Sequence, residues 1–165
     1  MRDIPDYPKP GVLFRDITPL LAAPDAFAAT VDAISAPFAD AHIDKVLGIE
    51  ARGFVFAAPV AYRHVAGFIP VRKAGKLPAA IEREEYELEY GTDLLEIHKD
   101  AIEPGEQVLI VDDVIATGGT AAATARLVER LGGVVLGLTF VIELGFLSGR
   151  KKLDGYDVHA LVRYD

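Results

Sequence analysis

The chain contains no cysteine. A disulfide framework, a thiolate nucleophile and a thiolate metal site are therefore all excluded. Long apolar runs are also missing, and nothing approaches the ~20 residues that a membrane-crossing helix needs. The opening residues, Met1-Arg2-Asp3-Ile4-Pro5-Asp6, read neither as a signal peptide nor as a transit peptide. No membrane partner and a cytoplasmic location are the expectations. Positive charge is in short supply, with 17 Lys and Arg against 25 Asp and Glu and a net charge of −8. Such a field argues against nucleic acid as a partner, while leaving room for a local cationic pocket and a small anionic ligand. The four histidines, His42, His64, His98 and His159, are scattered without ligand spacing and read as surface or packing residues. No Gly-Lys-Ser/Thr follows any glycine-rich loop and no Gly-x-Gly-x-x-Gly occurs, so the common nucleotide-binding loops are absent. No repeat, low-complexity tract or linker interrupts the 165 residues, and one domain is expected.

What is present centres on residues 108–120, VLIVDDVIATGGT. Val108, Leu109, Ile110 and Val111 form a short β-branched run of the kind buried on both faces of a parallel sheet. Asp112 and Asp113 end that run, and Ala116, Thr117, Gly118, Gly119 and Thr120 lead into a helical pattern. In open α/β sheets, ligands sit outside the carboxyl ends of the strands. Gly118 and Gly119 allow a tight turn and close backbone approach. The loop N–H groups and the helix start favour an anion such as phosphate, and Thr117 and Thr120 add hydroxyl donors. Two carboxylates cannot hold that phosphate; they suit sugar hydroxyls, or a metal reached through water.

The rest of the chain reads as follows. Residues 4–21 carry four prolines and one glycine, which forbid a long helix and predict an ordered, irregular arm. Phe27, Val31, Ile34 and Phe38 mark one face of a helix over residues 25–38. Residues 45–49 predict a strand, Glu50-Ala51-Arg52-Gly53 a turn, and residues 54–65 a helix. A strand over 68–71 leads to Arg72, Lys73 and Lys76, three cations in five residues of an acidic protein. Residues 80–98 alternate with period two and predict a highly charged β-hairpin, with Gly91-Thr92-Asp93 between its strands and a mobile tip. After the central strand, Ala123, Leu127 and Leu131 stack a helix face that Gly132-Gly133 ends. Residues 134–142 predict a buried strand, 146–153 a short helix, and 158–162 a last strand. Alternating strands and helices give an α/β fold with a mostly parallel central sheet flanked by helices.

Five stretches, in this order, resemble the type I phosphoribosyltransferases, and specifically the members that use adenine: YPKPGVLFRDITPLL, EARGF, RKAGKLP, YELEYG and DDVIATGGT. The resemblance spans nearly the whole chain. It departs at the front, where relatives usually carry a first helix and this sequence opens almost directly on the proline-rich arm. By resemblance, that arm (about 4–21) is a hood over the base. Leu13 and Arg15 contact adenine mainly through backbone, and Phe14 packs over it. Ala51 and Arg52 belong to a pyrophosphate loop, often with a cis non-proline peptide, which by position joins Glu50 and Ala51. Arg72, Lys73 and Lys76 supply positive charge to pyrophosphate, with Lys76 reaching into the neighbouring subunit's site. Residues 80–98 form a flexible hairpin that closes over the reactants; it carries Tyr86, Tyr90 and the acid/base candidate Glu89. Asp112 and Asp113 take the ribose, and residues 116–120 hold the 5′-phosphate.

The reaction so implied joins adenine and phosphoribosyl pyrophosphate (PRPP) to give AMP and pyrophosphate, as in purine salvage. The resemblance further implies Mg²⁺ held through PRPP and water, without a direct protein ligand being assigned, and a homodimer is expected.

Overall fold

The structure, a computed structural model, describes residues 1–87 and 91–165. The proline-rich arm forms two short strands, β1 (Arg2–Ile4) and β2 (Phe14–Asp16), paired antiparallel. Two helices follow, α1 (Thr18–Leu21) and α2 (Pro24–Ser35). Each has a proline in its first turn, where the missing N–H costs nothing. The core then runs β3 (Lys45–Ile49), α3 (Gly53–His64), β4 (Gly67–Lys73), β5 (Ile81–Glu87), β6 (Thr92–His98), β7 (Gln107–Ile115), α4 (Gly119–Arg130), β8 (Val134–Leu144) and β9 (Val158–Tyr164).

Seven strands make one sheet in the order β5-β6-β4-β3-β7-β8-β9. The β3–β4, β3–β7, β7–β8 and β8–β9 pairs are parallel, and β6 runs antiparallel to both β4 and β5. From β3 the chain winds outward through β4 to the hairpin, then returns to the other side of β3 and winds outward again from β7. The order therefore reverses between β3 and β7, where their carboxyl ends open a crevice of the kind that holds ligands in such sheets.

The core lies on both faces of this sheet. Leu109 and Val111 of β7 join α2 and α3 on one face, while Val108 and Ile110 join α4 and the hairpin on the other. This is the period-two alternation of a strand buried twice. Small residues set the spacing. A methyl added at Gly48 of β3 would lie 2.8 Å from the Ala57 Cβ of α3, so the helix rides directly on the strand. Helix α4 presents Ala121, Ala122, Ala123 and Ala125 inward around the fully buried Leu127. The hairpin is tied to the outside of α4 by Arg126 Nε on Glu84 at 2.5 Å and by Arg130, which meets Glu84, Glu82 and the Arg83 carbonyl.

Three local features differ from the sequence reading. Strand β7 does not stop at the aspartates. Its ladder with β8 continues through Asp112↔Phe140 and Ile115↔Glu143, because polar side chains at a strand's carboxyl end leave the backbone pairing intact. Thr92 and Asp93 belong to strand β6, opposite Glu87 and Tyr86, and not to the turn. Asp93 is held there by the Leu94 N–H and the Tyr86 hydroxyl. The short helix near the end is two 3₁₀ segments, Gly145–Leu147 and Gly149–Leu153, separated by Ser148 at φ +54°.

Candidate active site

A cavity of about 610 Å³ opens at the β3/β7 crevice. Its floor is the carboxyl end of β7. Asp113 is 5% exposed, and its Oδ2 accepts from Arg52 Nε at 2.6 Å. Asp112 Oδ1 accepts the backbone N–H of Asp113 at 2.9 Å. The same oxygen lies against Gly53, the first residue of α3, where an added Cβ would approach it to 2.7 Å. Glycine at the helix start thus lets a carboxylate sit against the helix N-terminus, whose partial positive charge favours it. Burial pushes the Asp112 carboxyl well above its ordinary range, and the neighbouring Asp113 charge adds to the shift. Burial also raises Asp113, with the Arg52 guanidinium opposing it.

The second wall is cationic and organised by an acid. Glu50 follows β3, and its peptide bond to Ala51 is cis. The Glu50 carboxylate accepts from Arg72 Nε at 3.0 Å, from the Lys73 backbone N–H at 2.9 Å, and from Lys76 Nζ. Burial pushes Glu50 up, but these donors, Lys76 first, outweigh it and hold the carboxyl at about 2. The turn bearing Lys76 is held from below by Glu96, 1% exposed, whose Oε2 accepts the Gly75 N–H at 2.9 Å. Lys73 Nζ reaches Asp93 at 3.4 Å.

The hairpin closes the third side with Leu95 and Tyr86. Tyr86 is 7% exposed and donates its hydroxyl to Asp93 Oδ2 at 3.1 Å. Burial, followed by the Asp93 charge, pushes this phenol up to about 12. It stays neutral and serves as a donor at ordinary pH. The fourth side is the loop after β7. Ala116, Thr117, Gly118 and Thr120 line the cavity, and Gly118 takes φ +75°, the left-handed region that glycine enters without penalty.

Of the residues singled out from sequence, Ala51, Arg52, Lys73, Lys76, Tyr86, Asp112, Asp113, Ala116, Thr117, Gly118 and Thr120 border this one cavity. Gly119 begins α4 just behind it. Arg72 stands behind Glu50, its guanidinium 5.8 Å from the Phe54 ring. Lys76 borders the cavity and pairs with Glu50, its anionic partner within the chain. Leu13, Phe14 and Arg15 stand outside the lining. The Phe14 ring is nonetheless 5.5 Å from the Arg52 guanidinium and edge-on to Tyr7 at 5.2 Å. The arm therefore reaches the cavity rim at Arg52. The Arg15 side chain turns away, pairing with Asp3 and lying 4.0 Å over the Tyr164 ring, which leaves only its backbone for a ligand. Glu89 and Tyr90 lie outside the described residues.

Sequence reasoning missed Glu50 and Glu96. The first looked like turn polarity and the second like the solvent face of a hairpin. The available signal was the cation cluster at Arg72, Lys73 and Lys76, which needs anions close in space though not in sequence.

The phosphoribosyl transferase domain profile matches residues 18–160. The adenine phosphoribosyltransferase of Solibacter usitatus (strain Ellin6076) is 58% identical over 165 residues, covering 100% of this chain and 95% of its own. That of Thermobifida fusca (strain YX) is 58% identical over 161 residues, covering 98% and 92%. The crystal structure of adenine phosphoribosyltransferase from Thermoanaerobacter pseudethanolicus superposes with a TM-score of 0.96 at 55% identity, covering 99% of this chain and 95% of that one. The Saccharomyces cerevisiae enzyme, solved with an imino-altritol bisphosphate and adenine, gives 0.92 at 46% identity, covering 97% and 93%.

Glu50 carries a pH dependence. Its folded pKa of about 2 lies below the ordinary 4.5. Its stabilisation is therefore complete above pH 4.5 and is lost as pH falls toward 2. With Lys76 half in solvent, Glu50→Gln should cost roughly 1–2 kcal/mol at neutral pH. Urea unfolding should show the gap between wild type and variant constant above pH 4.5 and closing as pH falls from 4.5 toward 2. A gap that stays constant throughout would mean that Glu50 is not held in its charged form.

Proposed function

The chain belongs to the phosphoribosyltransferase family, and from this premise we infer that its reaction is adenine salvage: the phosphoribosyl group of PRPP passes to N9 of adenine, giving AMP and pyrophosphate. The observation that carries the residue-level reading is the meeting, in one cavity, of a carboxylate pair, a glycine-threonine loop at a helix start and a cationic cluster. A sugar bearing one phosphate and one pyrophosphate needs those three chemistries side by side.

We assign Asp112 and Asp113 to the ribose hydroxyls. Residues 116–120 take the 5′-phosphate through backbone N–H groups, the α4 N-terminus and the Thr117 and Thr120 hydroxyls. Arg52, with the Ala51 backbone, takes the pyrophosphate; its planar fork suits bidentate phosphate contact. Arg72, Lys73 and Lys76 complete the charge balance. The adenine ring goes under the arm, with Phe14 over its face and the backbone of Leu13 and Arg15 reading its edge.

N9 attacks C1′ from the face opposite the leaving group. The N9–C1′ bond forms and the C1′–O bond to pyrophosphate breaks, with inversion. Positive charge develops on the ribose and negative charge on the departing pyrophosphate. What the protein supplies is placement and fixed charge: the carboxylate pair beside the sugar, Arg52 and the lysines beside the leaving group. The N9 proton must be removed, and Glu89 of the hairpin is the group assigned to it. Hairpin closure, with Tyr86 lining the cavity, keeps water from C1′.

The donor set suits Mg²⁺, which takes one or two carboxylates together with substrate oxygens and keeps several waters. Asp112 and Asp113 would hold it through water and the ribose hydroxyls. The chemistry such an ion would supply when bound is an offset to the negative charge of the pyrophosphate. No helix among the described residues is long and apolar enough to cross a membrane, and phosphorylated substrates of this kind go with a cytoplasmic location. A homodimer accords with the outer face of α3, which exposes Val55 and Tyr62, continuing to Val65 and Phe68.

A pyrophosphate-release assay with PRPP should give turnover with adenine and none with hypoxanthine, guanine, xanthine or orotate. Turnover with an oxo-base would reassign the specificity, and PRPP binding without any turnover would make the protein a sensor. In the same assay Arg52→Ala should lower kcat/KM by roughly 10²–10³, the loss of one transition-state charge partner; an unchanged rate in a folded variant removes Arg52 from the reaction. Light scattering should give twice the mass of the chain, and an active monomer would contradict the dimer.

A further inference from the structure

The loop assigned to the 5′-phosphate touches a segment that neither its motif nor the cavity lining includes. Gly149, at the start of the second 3₁₀ segment, meets it backbone to backbone. A methyl built on Gly149 would lie 2.1 Å from the Ala116 carbonyl oxygen and 2.7 Å from the Gly118 nitrogen. A methyl built on Gly118 would lie 2.2 Å from the Gly149 oxygen and 3.1 Å from its Cα. All of these obstructing atoms are main chain, so none can swing aside as a flexible side chain would. Gly118 has a second reason to be glycine in its positive φ. Gly149 has no positive φ, so its requirement is one of space alone.

The segment is firmly rooted. Arg150 Nη2 donates to Glu143 Oε2 at 2.6 Å and its Nε to both Glu143 oxygens at 3.2 Å, while Nη1 donates to the Val158 carbonyl at 2.6 Å. Glu143 is 4% exposed and also meets Arg163 at 3.3 Å. Glu143 is in turn the register partner of Ile115, the last residue of β7 before the loop. The loop and the segment pressed against it therefore spring from the same rung of the sheet.

We propose that Gly149 is a brace for the phosphate loop, and that Gly149 and Arg150 are positioning residues for the substrate's 5′-phosphate. A loop with two adjacent glycines has many backbone states open to it, and its N–H groups bind an anion well only when they already point at one place. Gly149 stands outside the cavity lining; its backbone fills the space into which residues 116–118 would otherwise relax. Arg150 fixes Gly149 in turn. The proposal rests on the reading of residues 116–120 as the phosphate loop.

Calorimetric titration of wild type and Gly149→Ala with ribose 5-phosphate, and separately with pyrophosphate, tests it. The variant should lose about tenfold or more in ribose 5-phosphate affinity through lost preorganisation, with pyrophosphate affinity unchanged. In steady state, KM for PRPP should rise while KM for adenine holds. Unchanged ribose 5-phosphate affinity, or an equal loss for both ligands, overturns the brace. If Gly149→Ala gives no folded protein, Arg150→Lys decides in the same titrations: a selective loss supports the proposal, and no loss or an unselective one overturns it. A wild type that binds pyrophosphate but ignores ribose 5-phosphate removes the phosphate-loop reading, and the brace with it. A wild type and a Gly149→Ala variant that bind both ligands equally remove the brace alone.

Discussion

The pairing of Arg52 with Asp113 is the contact on which the site depends. Two adjacent aspartates at the carboxyl end of a buried strand are costly, because burial and mutual repulsion both drive them toward the protonated form. Asp113 accepts the Arg52 guanidinium at 2.6 Å, and Asp112 is set against the glycine start of α3. Arg52 and Gly53 are neighbours in sequence, so one turn after β3 stabilises both acids of β7. This is possible because β3 and β7 are adjacent and parallel at the point where strand order reverses. The fold thus brings the two loops together before any ligand chemistry is considered.

The same logic extends across the cavity. Arg72 and Lys76 meet Glu50, Lys73 meets Asp93, and Arg52 meets Asp113. An acidic protein can therefore carry a cluster of cations without self-repulsion, since each has an internal carboxylate partner. On the proposed function, a polyanionic substrate would compete with these carboxylates for the cations. Binding becomes an exchange of ionic partners, which costs less than stripping water from bare charges. On the proposed assignment it would also couple the sites, since Arg52 turning to pyrophosphate would free Asp113 for the sugar.

Much of this was legible in the sequence, and the limits are physical. Period-two and helical patterns located the core strands and helices because burial imposes those periods, and Gly118-Gly119 marked the loop because few residue types tolerate its backbone. The continuation of β7 through Asp112 and Asp113 was not legible: main-chain pairing with β8 is a tertiary fact, and polar side chains conceal it. Glu50, Glu96 and Gly149 were equally hidden. Their roles arise from contacts across 26, 21 and about 30 residues of chain, distances at which local pattern carries no information. The arm is the intermediate case. Its prolines predicted irregular structure, but that Phe14 stands beside Arg52 while Arg15 faces Tyr164 follows only from the β1–β2 pairing.

The central claim is that the carboxylate pair grips a ribose while the adjoining loop grips its phosphate, with Arg52 changing partners. A crystal structure with AMP and pyrophosphate tests this directly. It should show the ribose hydroxyls on Asp112 and Asp113, the 5′-phosphate among the N–H groups of residues 116–120, and Arg52 turned from Asp113 to the pyrophosphate. A nucleotide phosphate bound elsewhere, with the Arg52–Asp113 pair intact, would contradict the account.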